Sequence, residues 1–431
     1  MVSLSALERF SKTGFDVALI QKKEDTEPYL DTAWTVQIIR GTLLAGLLIF
    51  GAPLVGAFFE EPRAVQFVRV LGATVFLQGL RNIGIIYFKK ELEFHKQFAY
   101  QASGILADLA VALTIAFVFR SVWALVLGLL AKRLIQVIFS YLVHPFRPSL
   151  EFNKNMASEL FDFGKFVFIQ SIILFLITQG DDVFVGRVLG ATALGFYQLA
   201  YRISNTPATE ITHVVSSVTY PAFSKLQNNR DALVKAIKKT LKAVSVIVMP
   251  VSGGIFIIAP LFTRTILGQK WLPIVPSLQI LCLFGLIRSI GALFGPAYRA
   301  QGRPDIPLRF NIVELVIIIG TIYPLSVKWG FTGTSLSITI SIVPVLYLTG
   351  KYMSNMLQIS ILDLYNPLVK PFLLTMTMVM IVQLNLVFLP LEGSLLLIAS
   401  IVVGILTFLL LLYKFGKEYF NGVIRLARNI S

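Results

Sequence analysis

Apolar residues in this chain come in long unbroken runs, not in alternation. A helix needs about 20 mostly apolar residues to cross a bilayer. By that measure the pattern predicts about twelve spans, near 34–59, 65–88, 98–119, 121–143, 166–188, 193–218, 243–267, 272–298, 308–327, 330–352, 368–388 and 394–413. A transmembrane barrel is excluded, because its strands alternate and run only about 10 residues each. Asn228 to Val244 reads differently. The stretch NNRDALVKAIKKTLKAV has a basic face and an apolar face, the pattern of a helix lying on a membrane surface.

Polar residues between the runs set the orientation. Basic residues crowd the connections after even-numbered spans, from Lys89, Lys90 and Lys96 to Lys351 and a tail with Lys414, Lys417, Arg425 and Arg428. Connections after odd-numbered spans carry few. The positive-inside rule then places both termini in the cytoplasm. Composition agrees with a multi-pass membrane protein: 56% of the 431 residues are hydrophobic and 14% charged, against about 25% charged in soluble domains. The net charge of +15 follows from this orientation bias and calls for no nucleic acid. Cys282 is alone, so no disulfide forms within the chain. His95, His144 and His213 share no metal-ligand spacing. Neither a metal nor a cofactor is expected, and no loop is long enough for a catalytic domain.

The chain also repeats itself. FLQGLRNIGI places Arg81 inside an apolar run, and LFGLIRSIGA places Arg288 in matching surroundings 207 positions later. The same offset pairs Pro53 with Pro260, Leu71 with Leu278 and Gly84 with Gly291. Asp108 and Glu314 fall in corresponding spans. The displacement is six spans, an even number, so both copies share one orientation and are related by an axis along the membrane normal. The expected architecture is an all-α polytopic membrane protein with two pseudo-symmetric lobes around a central cavity. The lobes occupy 1–155 and 156–355, and 356–431 adds two helices and a basic tail outside the repeats. That is a transporter plan.

The stretch DDVFVGRVLGATALGFYQLAYRI, through Asp182, Gly186, Leu189, Gly190, Ala191, Leu194, Gly195, Tyr197 and Ala200, resembles the signature of the polysaccharide transporter family. This is the Wzx-type lipid-linked oligosaccharide flippase branch of the multidrug, oligosaccharidyl-lipid and polysaccharide exporter superfamily. Further similarity lies in GFDVALIQKKEDTEPYLDTAWTVQI (14–38), FRPSLEF (146–152) and AYRAQGRPDI (297–306). Members of that branch usually have fourteen spans. Against that pattern the first helix is missing and 2–17 supplies only a stub of the second, which leaves transport by this polypeptide open.

The resemblance implies a substrate of oligosaccharide linked to polyprenyl diphosphate, moved across the cytoplasmic membrane by alternating access for O-antigen, capsule or exopolysaccharide synthesis. It also implies a polysaccharide polymerase and a chain-length regulator as partners, beside the lipid bilayer. Arginine suits the diphosphate, since its planar guanidinium makes bidentate hydrogen bonds to phosphate. Candidates for a cationic cavity are Arg40, Arg69, Arg81, Lys132 and Arg133 in the first lobe and Arg202 and Arg288 in the second. Each has a plainer reading as a side chain that snorkels to the interface. Asp108 and Glu314 either pair with these cations or bind a coupling ion, and Glu210 with His213 forms a second such candidate. Rival functions are a cation-coupled multidrug exporter of the same plan, a membrane polymerase and a non-transporting assembly subunit.

Overall fold

The computed structural model describes Leu19 and residues 26–91, 93–303 and 305–416. Within this range the side chains of 89, 94, 160–174, 207, 208, 213, 214, 216–218, 220 and 221 are not described. The stub expected at 2–17 and the basic tail beyond 416 lie outside the described residues. The chain divides into two compact units, Met1–Ala191 and Thr192–Ser431. One copy of the repeated arginine segment lies in each.

The first unit opens with α1 (Glu27–Phe58), whose Pro28 occupies the first turn, where no amide donor is needed. It packs along α2 (Ala64–Gly79). Contact is close because a Cβ on Gly41 would lie 3.0 Å from the Gly79 Cα. Leu48, Ala52, Val68 and Val75 fill the seam. The run expected at 65–88 is not one helix. It stops at Gly79, unwinds over residues 80–82, and resumes as a 3₁₀ turn, Ile83–Ile86, and a short helical turn, Tyr87–Lys90. Then come α3 (Phe94–Phe119) and α4 (Trp123–Val143), packed as a pair. The final element is α5 (Lys154–Val188), capped by Asn153, whose side chain accepts from the Asn155 and Met156 amides. The start of α5 and the strap before it are tied to α1. Ser149 N donates to Asp31, Asn153 N to Thr32, and Tyr29 Oη to Glu159 at 2.8 Å. These ties join the start of α5 to α1 within the first unit.

The second unit contains α6 (Ala191–Lys225), α7 (Arg230–Phe262), α8 (Val275–Ala292), α9 (Phe294–Ala300), α10 (Asp305–Met356), α11 (Ile361–Phe388) and α12 (Gly393–Phe415). The basic amphipathic stretch at 228–244 is not a separate surface helix. It forms the first half of α7, and its apolar stripe of Leu233, Ile237, Leu241 and Val244 is fully buried against Phe223, Phe294 and Leu364. The 3.6-residue period was real, but the stripe faces protein. On the other side Lys238 pairs with Asp363 at 3.1 Å. The runs expected at 308–327 and 330–352 form the two arms of α10. They bend at Trp329 and Gly330, and Gly330 has φ 59° and ψ −144°, a conformation that favours glycine.

Eight of the described helices are long and apolar enough to cross a membrane, and α2 is a shorter apolar helix. The runs expected at 166–188 and 193–218 fall in α5 and α6, which include the undescribed side chains. The result is an all-α polytopic membrane protein.

Candidate functional site

Arg288 sits in the unbroken helix α8. On that helix Leu278, Leu281, Cys282, Gly285 and Ser289 are buried against the rest of the second unit. Arg288 is half-buried. Its Nη1 donates to Tyr201 Oη on α6 at 2.7 Å, and its guanidinium carbon lies 6.0 Å from the centre of the Phe284 ring. Tyr201 in turn lies 6.1 Å from Phe284 and 6.3 Å from Tyr197, ring to ring. One donor of five is occupied by Tyr201, and the rigid fork keeps a fixed set of further N–H groups in place.

Beside Arg288 is a cavity of about 220 Å³, lined by Asn205, Thr209 and Thr212 from α6 and by Gly285, Arg288 and Ser289 from α8. All these residues belong to the second unit. Asn205 is 2% exposed. Its Nδ2 donates to Ser204 Oγ at 2.9 Å, and Ser204 Oγ donates its own proton back to Ala200 O at 2.9 Å. With its proton on a carbonyl of the preceding turn, Ala200 O or Tyr201 O at 3.1 Å, the hydroxyl accepts from Asn205 Nδ2, and the amide is assigned with its oxygen on the other side. That oxygen, Oδ1, is buried and accepts no hydrogen bond among the described residues. It lies against Gly285, where a Cβ would come within 2.9 Å of it.

The other candidates of the second unit are not gathered here. Arg202, one residue from Tyr201, is exposed, as is Glu210. The side chain of His213 lies outside the described residues. Glu314 is buried on α10.

In the first unit Arg81 lies in the unwound turn after α2, half-buried. The backbone around it is held by side chains. Gln37 Nε2 donates to Gly79 O at 2.8 Å and to Arg81 O at 3.0 Å. Tyr141 Oη donates to Leu80 O at 2.9 Å. Asn82 Nδ2 donates to Phe146 O at 2.8 Å, and Asn82 Oδ1 accepts from Gly84 N. His144 packs on Gly84 and stacks on Tyr87, with ring centres 5.8 Å apart and planes 8° from parallel. Its Nδ1 accepts the Phe146 N–H at 3.2 Å. Burial, and secondarily the Lys96 charge, lowers the pKa of this imidazole below the ordinary histidine value. Arg40 is half-buried on α1, and Arg69 is exposed on α2. Lys132 and Arg133 are half-buried on α4, where Arg133 Nη1 donates to Gln136 Oε1 at 3.2 Å. Asp108 on α3 packs against Gly128 of α4.

Asn205, Tyr201 and Gln37 carry no charge, and so they escaped a reading that searched the spans for ionisable groups. The signal was present in YRISNTPATEIT, residues 201–212, whose polar density is high for a span. Among the described residues no cluster of three or more His, Cys, Asp or Glu could hold a metal ion.

The sequence model of a family described as "Polysaccharide biosynthesis protein" matches residues 1–276. The chain is 27% identical over 324 residues to the lipopolysaccharide biosynthesis protein WzxC of Escherichia coli (strain K12), a match covering 75% of this chain and 66% of that protein, just under two thirds. It is 26% identical over 424 residues to the teichuronic acid biosynthesis protein TuaB of Bacillus subtilis (strain 168), covering 96% and 87%. Among solved structures it resembles the lipid II flippase MurJ in an inward closed conformation, with a TM-score of 0.79 and 16% identity over 97% of this chain and 90% of that one. It also resembles an inward-facing multidrug resistance MATE transporter, with a TM-score of 0.65 and 14% identity over 83% and 88%. At such identities the structural likeness speaks for the fold. The sequence match covers well over half the chain, and the protein belongs to this polysaccharide biosynthesis family.

Proposed function

We propose that the protein is a flippase that carries oligosaccharide linked to polyprenyl diphosphate across the cytoplasmic membrane by alternating access. The observation that carries this reading is Arg288, a guanidinium held by Tyr201 at the edge of a polar cavity within a membrane-embedded helical unit. A charge there is costly and is kept for a use. A diphosphate presents oxygens in the geometry a guanidinium fork matches, and its attraction grows where water is scarce. The polyprenyl tail would remain in lipid while the headgroup is carried. The bias of Lys and Arg supports both termini on the cytoplasmic side. The relatives' roles in lipopolysaccharide and teichuronic acid synthesis fit a polysaccharide precursor as cargo and a polymerase and chain-length regulator as later partners. We also propose Arg40, Arg69, Arg81, Lys132 and Arg133 as headgroup ligands of the first unit, and Asp108 and Glu314 for charge balance.

The MATE-like fold favours a second reading, a multidrug exporter. Arg288 opposes it, since like charges repel a cationic drug in the same cavity.

Complementation of a flippase-null strain tests the proposal. The wild-type chain should restore surface polysaccharide. Arg288→Ala should lower the restored amount at least tenfold at equal expression, and Arg288→Lys, which keeps charge but loses the fork, should fall between. Full restoration by Arg288→Ala would overturn it.

A further inference from the structure

Asn205 adds something that a site for an anion alone does not need. An anion accepts hydrogen bonds, and Asn205 Oδ1 is itself an acceptor. It is buried and accepts no hydrogen bond among the described residues, on a side chain 2% exposed. Leaving such a group unmade is costly, and a native structure that does so asks for the missing donor. Ser204 Oγ holds the amide nitrogen, which leaves the carbonyl end toward Gly285. Gly285 is built to match: its missing Cβ leaves the space that Oδ1 occupies. Thr209, Thr212 and Ser289 add hydroxyls to the same wall, Ser289 as an acceptor, since its proton goes to Gly285 O. The volume, about 220 Å³, is far more than the ~10–15 Å³ that admits one water. It is also below the ~300–1,000 Å³ of sites that enclose a whole ligand. It suits one part of a larger substrate.

We infer that Asn205 and Arg288 form a subsite for a single sugar residue, with an acid group on the Arg288 guanidinium and a hydroxyl or amide N–H of the sugar on Asn205 Oδ1. This rests on the flippase reading and names the part of the substrate that the cavity reads. The acid group has two possible sources with the same chemistry, the carrier's phosphate or a carboxylate of the glycan. Asn205 is the specificity residue. It separates a glycosylated carrier from the bare carrier diphosphate, which offers no sugar hydroxyl or amide N–H to Oδ1.

Binding to the full chain in lipid nanodiscs tests this with undecaprenyl diphosphate, the same lipid bearing one glucose, and free glucuronate as competitor. The wild type should bind the glucosylated lipid about five- to tenfold more tightly than the bare one, the worth of one buried hydrogen bond. Asn205→Ala should bring that ratio close to one. Gly285→Ala should do the same by pushing Oδ1 aside without removing it, so loss of the preference in both variants is not an accident of one substitution. Competition by glucuronate assigns the acid group to the glycan, and a preference indifferent to glucuronate assigns it to phosphate. A wild-type ratio of one, or a ratio that survives both substitutions, overturns the inference. If the wild type binds neither lipid, the flippase reading falls and this inference with it.

Discussion

Arg81 and Arg288 occupy matched positions in a repeated sequence, yet the two backbones differ. Around Arg288 the helix runs unbroken to Ala292. Around Arg81 it has ended at Gly79. The side chains that differ at the repeat offset account for this. Asn82 corresponds to Ser289. Asn82 turns its Oδ1 onto the Gly84 amide, a local bond that competes with helix. Ser289 bonds back to Gly285 O at 2.7 Å, which a helix tolerates. Gln37 corresponds to Val244. Gln37 supplies two donors for the carbonyls that the break releases, while Val244 is a buried apolar residue in the core of its unit. A sequence repeat therefore preserved the placement of a cation but not the backbone that presents it. In one unit the arginine comes from a stiff helix beside a cavity. In the other it comes from a turn clamped by its neighbours.

The largest effect on this difference should come from Gln37→Leu. The change removes both donors from the break, leaving the Gly79 and Arg81 carbonyls without them. At about 1–3 kcal/mol for each of the two groups left unmade, the first unit should lose roughly 2–6 kcal/mol. The melting temperature of the purified full-length protein in detergent should fall by several degrees. An unchanged melting temperature would show that the break is not held by Gln37.

A smaller effect is expected from Asn82→Ser, which gives the first unit the residue its counterpart carries. Serine is too short to hold both the Gly84 amide and the Phe146 carbonyl. The cost should be about 1–2 kcal/mol, with faster hydrogen exchange at the Gly84 amide. Exchange as slow as in the wild type would mean that the turn does not depend on the asparagine.

Arg288 was legible in the sequence because a lone charge in an apolar run is conspicuous, and the helices because their runs are long. The break after Gly79 was not. Hydropathy over 65–88 counts apolar side chains and is blind to backbone carbonyls that need donors from distant Gln37 and Tyr141. The expected runs through Pro53 and Pro260 do form continuous helix, in α1 and α7. The apolar stripe of Leu233, Ile237, Leu241 and Val244 was visible as a period. What it packs against is set by Phe223, Phe294 and Leu364, and no local window contains them. Asn205 was missed for a related reason: a neutral amide stands out only once its donor and acceptor ends are accounted for separately.

The smallest expected effect is a pH dependence confined to the first unit. His144 stacks on Tyr87 and accepts the Phe146 N–H, and the same Phe146 carries the carbonyl that holds Asn82. The charged groups acting on it are Lys96 and Arg147, which lower its pKa, and Glu93 and Glu91, which raise it, all smaller than the effect of burial. Its folded pKa therefore lies below the unfolded value of about 6.5. Between those two values the unfolded chain holds more protons, so stability falls as pH falls. Above about pH 7 both states are neutral and the effect vanishes. A protonated Nδ1 can no longer accept from Phe146, which loosens the strap that holds the break. The second unit has Lys351 at the same offset. The melting temperature should be level above about pH 7 and decline below about 6.5, modestly because the ring is only partly shielded from solvent. His144→Phe keeps a ring to stack on Tyr87 but cannot titrate, and it should flatten that decline. His95 and His213 remain in the variant, so a decline as steep as in the wild type would assign the effect to them and remove His144 from the account.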